Sequence, residues 1–269
     1  MRHEVKTMEL PTGVTLEYAE QGDPSGVPVL LLPGALDSWR SFALVLPHLP
    51  ESIHAFAITP RGHGDSSKPH SGYRVRHFAD DVSAFMDRAN LGAAVLVGHS
   101  FGTVVAQQFA IDHPKRTLAL LLIGAHYAIR DHPVDREFYE STASKLEDPI
   151  DPNLVGELQE TAHHRPLPES LSETVVQEAM KVPARVWKAL WQGLLADDLS
   201  DDVDRISAPA LLIWGEQDRD TPRSDQDALL AAIPGSRLVV YEGVGHSPHW
   251  EVPERLASDL VSFVETSVD

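Results

Sequence analysis

Three residues able to carry out acyl transfer stand in glycine-punctuated settings: Ser100 in Gly98-His99-Ser100-Phe101-Gly102, Asp218 in Gly215-Glu216-Gln217-Asp218, and His246 in Gly243-Val244-Gly245-His246. A serine hydroxyl is a weak nucleophile. It needs an adjacent base, and the base needs a third group to orient it. The run Ala93 to Val97 before the pentapeptide is apolar, and Thr103 to Ala110 after it is mostly apolar at helical spacing. Buried strand, tight turn, then helix is the context in which G-x-S-x-G signifies an exposed nucleophile. Ser100 is expected at the apex, with a strained backbone, and Gly98 and Gly102 let strand and helix approach closely. Phe101 opens the helix, so its N–H is one of the donors that a helix start leaves unpaired.

The rest of the chain must supply elements that bring these groups together. Val5 to Leu10 and Val14 to Ala19, joined by Pro11-Thr12-Gly13, predict an opening β-hairpin. Val27 to Leu32, Ile53 to Thr59, Thr117 to Ile123, Ala210 to Trp214 and Arg237 to Tyr241 read as further strands around the elbow strand. Helices are predicted over Ser38 to Leu46 with Asp37 or Ser38 as N-cap, over Val75 to Asn90, from the elbow to Asp112, over Ser224 to Ile233, and over Glu251 to Val264. Strand–helix alternation implies a parallel sheet with helices on both faces. From His126 to Arg205 the pattern breaks into helix formers, prolines, acids and scattered aromatics. A helical insertion over 126–205 is expected, set into a core made of 1–125 and 206–269. Asp218 and His246 then lie in loops beyond the carboxyl ends of strands, at the edge where Ser100 lies and where open α/β sheets build their sites.

Composition narrows the function. The length of 269 residues suits one large α/β domain carrying an insertion. The absence of cysteine excludes disulfides, thiol chemistry and cysteine-based zinc sites. With 22 basic against 40 acidic residues the formal charge is −18. That argues against nucleic acid as a partner and disfavours polyanionic substrates. Asp197, Asp198, Asp201, Asp202 and Asp204 form an acidic run without the glycine and closing glutamate of a calcium loop. His163 and His164 are adjacent, a poor ligand geometry, and no H-E-x-x-H occurs. No metal and no cofactor are implied. No stretch has the length of a membrane span and the first residues lack an apolar signal core, so a cytoplasmic location with no membrane partner is the expectation.

With these motifs the chain resembles the α/β-hydrolase fold family, in its small capped form, from the opening hairpin to the final helix. Arg61-Gly62-His63-Gly64-Asp65-Ser66 is similar to a further loop of that family. The resemblance implies an α/β fold with a mostly parallel eight-stranded sheet, helices on both faces and a helical cap. It makes Ser100 the nucleophile, His246 the general base and then general acid, and Asp218 the group that orients the imidazole and stabilises the imidazolium. Asp220 is the competing acid, but the family's spacing of glycine, two residues, then aspartate falls on Asp218. The strand ending at Ile123 is followed by Gly124-Ala125, so the fold's other position for the acid carries no carboxylate. The implied oxyanion hole uses the backbone N–H groups of Ala35 and Phe101. Many relatives carry His-Gly where this chain has Pro33-Gly34, which leaves open what hydrogen-bonds behind that loop.

Leu36, Phe138, Trp187 and Trp191 are the candidate substrate contacts. Trp187 and Trp191 lie four apart on one helical face and suit cap core as well as a pocket wall. Trp39 is expected to be packing, His99 a structural residue inside the elbow, and His63 the residue ordering its own loop. The expected activity is a serine hydrolase cleaving a carboxylic ester or lactone through an acyl-enzyme, on a fairly apolar small molecule. Three alternatives stay open: a cofactor-free perhydrolase on the same triad, a C–C bond hydrolase, and a hydrolase-like small-molecule receptor. Relatives that open epoxides or displace halide carry aspartate where Ser100 stands. Those that cleave carbon–carbon bonds usually read Gly-Asn-Ser-Met-Gly. Oligomeric state is not legible.

Overall fold

The strands that read as uninterrupted apolar runs are the ones buried on both faces. In the computed structural model, which describes residues 3–130 and 132–268, β4 (Ile53–Ile58), β5 (Ala94–His99) and β7 (Ala210–Gly215) are buried at every position. They belong to one eight-stranded sheet with β1 (Glu4–Glu9), β2 (Thr15–Gln21), β3 (Val27–Leu32), β6 (Thr117–Ile123) and β8 (Arg237–Tyr241). The spatial order is β1-β2-β4-β3-β5-β6-β7-β8. The β1/β2 hairpin and the β2/β4 pair are antiparallel, and every other pair is parallel. This is the architecture the resemblance implied.

Alternation along the strands feeds two cores. Val29, Leu31, Val95, Val97, Leu121 and Ile123 pack with Leu256, Leu260 and Phe263 of the last helix, α9 (Pro253–Ser267). Leu30, Leu32, Leu96, Leu120 and Leu122 face the other way, towards α1 (Val75–Arg88) and α2 (Phe101–Asp112). In α1 the buried Phe78, Val82, Phe85 and Met86 form the apolar stripe visible in the sequence.

The helix expected over Ser38 to Leu46 is instead two 3₁₀ turns, Trp39–Phe42 and Leu46–His48. Ser38 does cap the first, its Oγ accepting the Arg40 N–H at 3.2 Å. Pro47 has no N–H to reach back to the carbonyl of residue 43, so an α-helix cannot run through. The final helix expected over Glu251 to Val264 is α9, which starts at Pro253, and a separate short turn, α8 (Pro248–Glu251), precedes it.

Between β6 and β7 the chain forms α3 (Pro133–Ser141), α4 (Pro152–Thr161), α5 (Glu169–Met180) and α6 (Ala184–Ala196), with no strand among the described residues. After β7 comes α7 (Arg223–Ala232). No described helix is long and apolar enough to cross a membrane. β3 and β5 are neighbours, and the chain leaves them in opposite directions, towards β4 and β6. A crevice opens at the carboxyl ends of such a pair. Residues 33–38 and 98–102 form its rim.

Candidate active site

Ser100 sits between β5 and α2 with φ 48° and ψ −117°. A non-glycine residue in this region costs on the order of 1–3 kcal/mol and persists only if its surroundings impose it. Here they do. The Ser100 N–H donates to the Ile123 carbonyl of β6 at 2.9 Å. The Ser100 carbonyl accepts the Thr103 N–H at 2.8 Å and the Thr103 hydroxyl at 2.6 Å. Strand and helix are in contact at the two glycines. A β-carbon on Gly98 would lie 2.4 Å from the Gly102 oxygen, and one on Gly102 would lie 2.1 Å from the Leu32 oxygen.

His246, in the loop after β8, is buried, and its Nδ1 lies 2.9 Å from Asp218 Oδ2. Asp218 is held in turn by its own loop. Its Oδ1 accepts the backbone N–H groups of Asp220 at 2.8 Å and Thr221 at 2.9 Å, and its Oδ2 accepts the Thr221 hydroxyl at 2.6 Å. Burial opposes the Asp218 charge, but His246 and these donors outweigh it and hold the carboxyl below its usual range. With Nδ1 engaged by Asp218, Nε2 is the nitrogen left for exchange with a substrate.

Asp220 does not replace Asp218; it stands at the opposite nitrogen, Oδ2 3.9 Å from His246 Nε2. Burial of the imidazole disfavours its charge, yet Asp218, then Asp220 and Asp37, overcome that and raise His246 to about 9.

Ser100 and His246 line one cavity of about 280 Å³, with Ala35, Leu36, Phe138 and Trp191 among its walls. Among the described residues no protein group accepts the N–H of Ala35 or of Phe101. The Phe101 ring turns away from the cavity and packs edge-on against Phe78 at 4.8 Å. Trp187 does not reach the cavity: it is fully buried, donates its indole N–H to the Val182 carbonyl at 3.0 Å, and stacks behind Trp191. Its position in α6 puts it on the inner side of the helix, where sequence spacing cannot separate it from Trp191. Trp39 is buried, and His63 lies within hydrogen-bond distance of the Arg61 carbonyl in its own loop.

Behind the 33–38 loop stands a network that the sequence did not disclose. Ser41 Oγ donates to Asp37 Oδ2 at 3.1 Å and lies 2.9 Å from His249 Nε2. The Trp250 indole N–H donates to the Ser41 carbonyl at 3.1 Å. His99 Nε2 donates to the His246 carbonyl at 3.0 Å, so the elbow histidine holds the backbone of the candidate base. Burial keeps His99 and His249 neutral, their pKa values well below the usual range, and pushes Asp37 up to about 7. Nothing in residue type singled these out; a buried aspartate just after a Pro-Gly turn was the only available signal. By donor type, Asp37 with His99 and His249, and His126 with His132 and Asp225, are two groups of described residues suited to a metal ion. In the first, Ser41 already engages Asp37 Oδ2 and His249 Nε2, while the buried Nδ1 atoms of His99 and His249 have no hydrogen-bond partner among the described residues; in the second, His132 faces Asp135 at 2.9 Å.

A family model described as the alpha/beta hydrolase fold matches residues 27–253. The chain belongs to that family. Lipase 1 of Psychrobacter immobilis is 26% identical over 97% of this chain and 84% of its own length. An esterase from Exiguobacterium antarcticum superposes with a TM-score of 0.87 at 23% identity, covering 97% of this chain and all of the other. A solved structure described as an N-acyl homoserine lactone degrading enzyme superposes at 0.82 with 28% identity, covering 96% and 100% of the two chains. The first of these structural likenesses speaks to the fold; the family membership rests on the matched residues.

Proposed function

We propose that this α/β-hydrolase cleaves a carboxylic ester or lactone through an acyl-enzyme on Ser100. The observation that carries the reading is the shared cavity: a serine on a strained elbow and a histidine backed at 2.9 Å by a buried carboxylate both face it. In this reading Ser100 Oγ attacks the substrate carbonyl carbon and its proton passes to His246 Nε2. The resulting oxyanion takes the free N–H groups of Ala35 and Phe101, each donor supplying about 10²–10³ in rate. Collapse breaks the bond to the leaving oxygen, which receives the proton from Nε2. Water then gives a proton to Nε2 and attacks the acyl carbon, and Ser100 is regenerated. Asp218 orients the ring and stabilises the imidazolium throughout. Residues 126–205 serve as a cap, Phe138 and Trp191 forming the aromatic part of its contribution to the cavity wall and Trp187 the packing behind them. The lipase and the lactone-degrading relative support an ester or lactone as substrate.

Ser100→Ala is the test. Turnover of a short-chain p-nitrophenyl ester should fall to background with thermal unfolding unchanged. A fluorophosphonate should label Ser100 in the parent and not in the variant. Undiminished turnover, or labelling elsewhere, overturns the reading.

A further inference from the structure

The cavity wall is unusual in its charges. Three carboxylates line it, Asp37, Asp135 and Asp220, and no lysine or arginine does. Asp135 has a partner, the His132 imidazole at 2.9 Å. Asp218, which does not line the cavity, is matched by His246. Asp37 is 4% exposed and tied to Ser41. Asp220 is different: its side chain is 38% exposed and lines the cavity, partial burial raises its pKa above the usual carboxylate value, and its cationic neighbours are imidazoles only, His246 first and then His126 and His132. The other titratable groups at the wall are the His99 and His126 rings, both buried and both disfavoured as cations. His126 Nδ1 has no hydrogen-bond partner among the described residues.

The rest of the wall is aromatic. Trp191 and Phe138 lie with ring centroids 4.9 Å apart, and Trp250, whose indole N–H is taken up by Ser41, adds a third ring to the lining. With His246 in the neutral form that can act as base, carboxylate plus aromatic side chains, with no lysine or arginine among them, is the chemistry that holds a substituted ammonium group. A low-dielectric cleft of one sign also concentrates ligands of the other sign.

Position makes the inference more specific. His246 Nε2 hands its proton to the leaving oxygen, so groups beside Nε2 neighbour the alcohol portion of an ester. Asp220 Oδ2 is 3.9 Å from that nitrogen. We infer that the site prefers esters of amino alcohols, in which a positively charged nitrogen a few bonds from the ester oxygen sits against Asp220. This rests on the acyl-transfer reading above and names the substrate class for it. The acyl portion is left to the apolar wall of Leu36, Leu158 and Ala162.

The experiment compares three esters of one acyl group at constant ionic strength: a 2-(trimethylammonio)ethyl ester, its neutral 3,3-dimethylbutyl isostere, and a carboxylate-bearing analogue. The expected order of kcat/KM is cationic, neutral, anionic, with the cationic ester favoured by about tenfold over the neutral one, equivalent to about 1.4 kcal/mol. Asp220→Asn should bring the cationic-to-neutral ratio close to one whatever happens to the absolute rates, and added salt should shrink it in the parent. In parallel, phenyltrimethylammonium and benzoate are titrated against the Ser100→Ala protein and followed by tryptophan fluorescence; only the cation should bind, and Asp220→Asn should weaken it. A neutral or anionic ester turned over as well as the cationic one, or a ratio that survives Asp220→Asn, overturns the inference and leaves ester hydrolysis standing. If none of the esters is hydrolysed, the acyl-transfer reading fails, and the titration alone decides this one: absence of cation binding overturns it.

Discussion

Asp220 Oδ2 stands 3.9 Å from Nε2 of His246, while Asp218 Oδ2 stands 2.9 Å from Nδ1 of the same ring. The imidazole is flanked by carboxylates at both nitrogens, and Asp37 adds to the field from the 33–38 loop. Burial opposes a charge on the ring and is outweighed.

The pH dependence follows. A base must be neutral to accept the serine proton, and His246 is raised to about 9. Activity in kcat/KM should therefore climb through neutral pH and level off only above about pH 9. Asp220→Asn removes an anionic neighbour that favours the imidazolium, so the midpoint should move down and a larger share of plateau activity should appear at pH 7. Profiles of parent and variant on a neutral ester check this. A midpoint near the ordinary histidine value of about 6.5 in both would contradict it.

Gly102→Ala should disrupt the elbow. The added carbon would fall 2.1 Å from the Leu32 backbone oxygen, which cannot step aside without moving β3. Overpacking of this kind costs about 1–3 kcal/mol or more. The expected outcome is a lowered denaturation midpoint together with lost activity, since Ser100 and the 33–38 loop would both shift.

Arg61 and Asp81 form a buried pair, Nε to Oδ2 at 2.6 Å and Nη2 to Oδ1 at 2.5 Å, and Thr12 donates to the same carboxylate at 2.7 Å. Asp81→Ala would leave a guanidinium buried without its counter-charge. A loss of about 3–5 kcal/mol is expected. Urea unfolding with an unchanged m-value measures it.

The two tryptophans of α6 should separate cleanly. Trp187 is wholly buried, so Trp187→Ala should cost about 3–5 kcal/mol of stability. Trp191 faces the cavity, so Trp191→Ala should chiefly raise KM and weaken ammonium binding. Equal effects of the two on KM would refute the distinction drawn from their packing.

Much of this fold was written locally. The boundaries of β3 and β6 coincide with Val27–Leu32 and Thr117–Ile123, interior strands whose cover on both faces favours apolar residues, and those of β8 with Arg237–Tyr241, an edge strand exposed at Arg237. Prolines lie where the structure differs: the stretch Ser38 to Leu46 forms 3₁₀ turns, the second of which contains Pro47, and the last helix starts at Pro253 rather than Glu251. The role of Trp187 was not legible because residues four apart share a face of the helix, and which of them meets the cavity depends on what packs against that face.

By itself the sequence determined the elbow at Ser100, the sheet that carries it and the loops that end in Asp218 and His246, since each depends on residues within a few positions of one another. Tertiary structure alone decided that His246 meets a second carboxylate, that Asp37, Ser41 and His249 interlock behind the 33–38 loop, and that the cavity holds carboxylates and aromatics without a lysine or arginine. Those relationships join side chains from elements far apart in the chain, and the strength of a charge or hydrogen bond is set by distance and burial, which exist only once the chain has closed on itself.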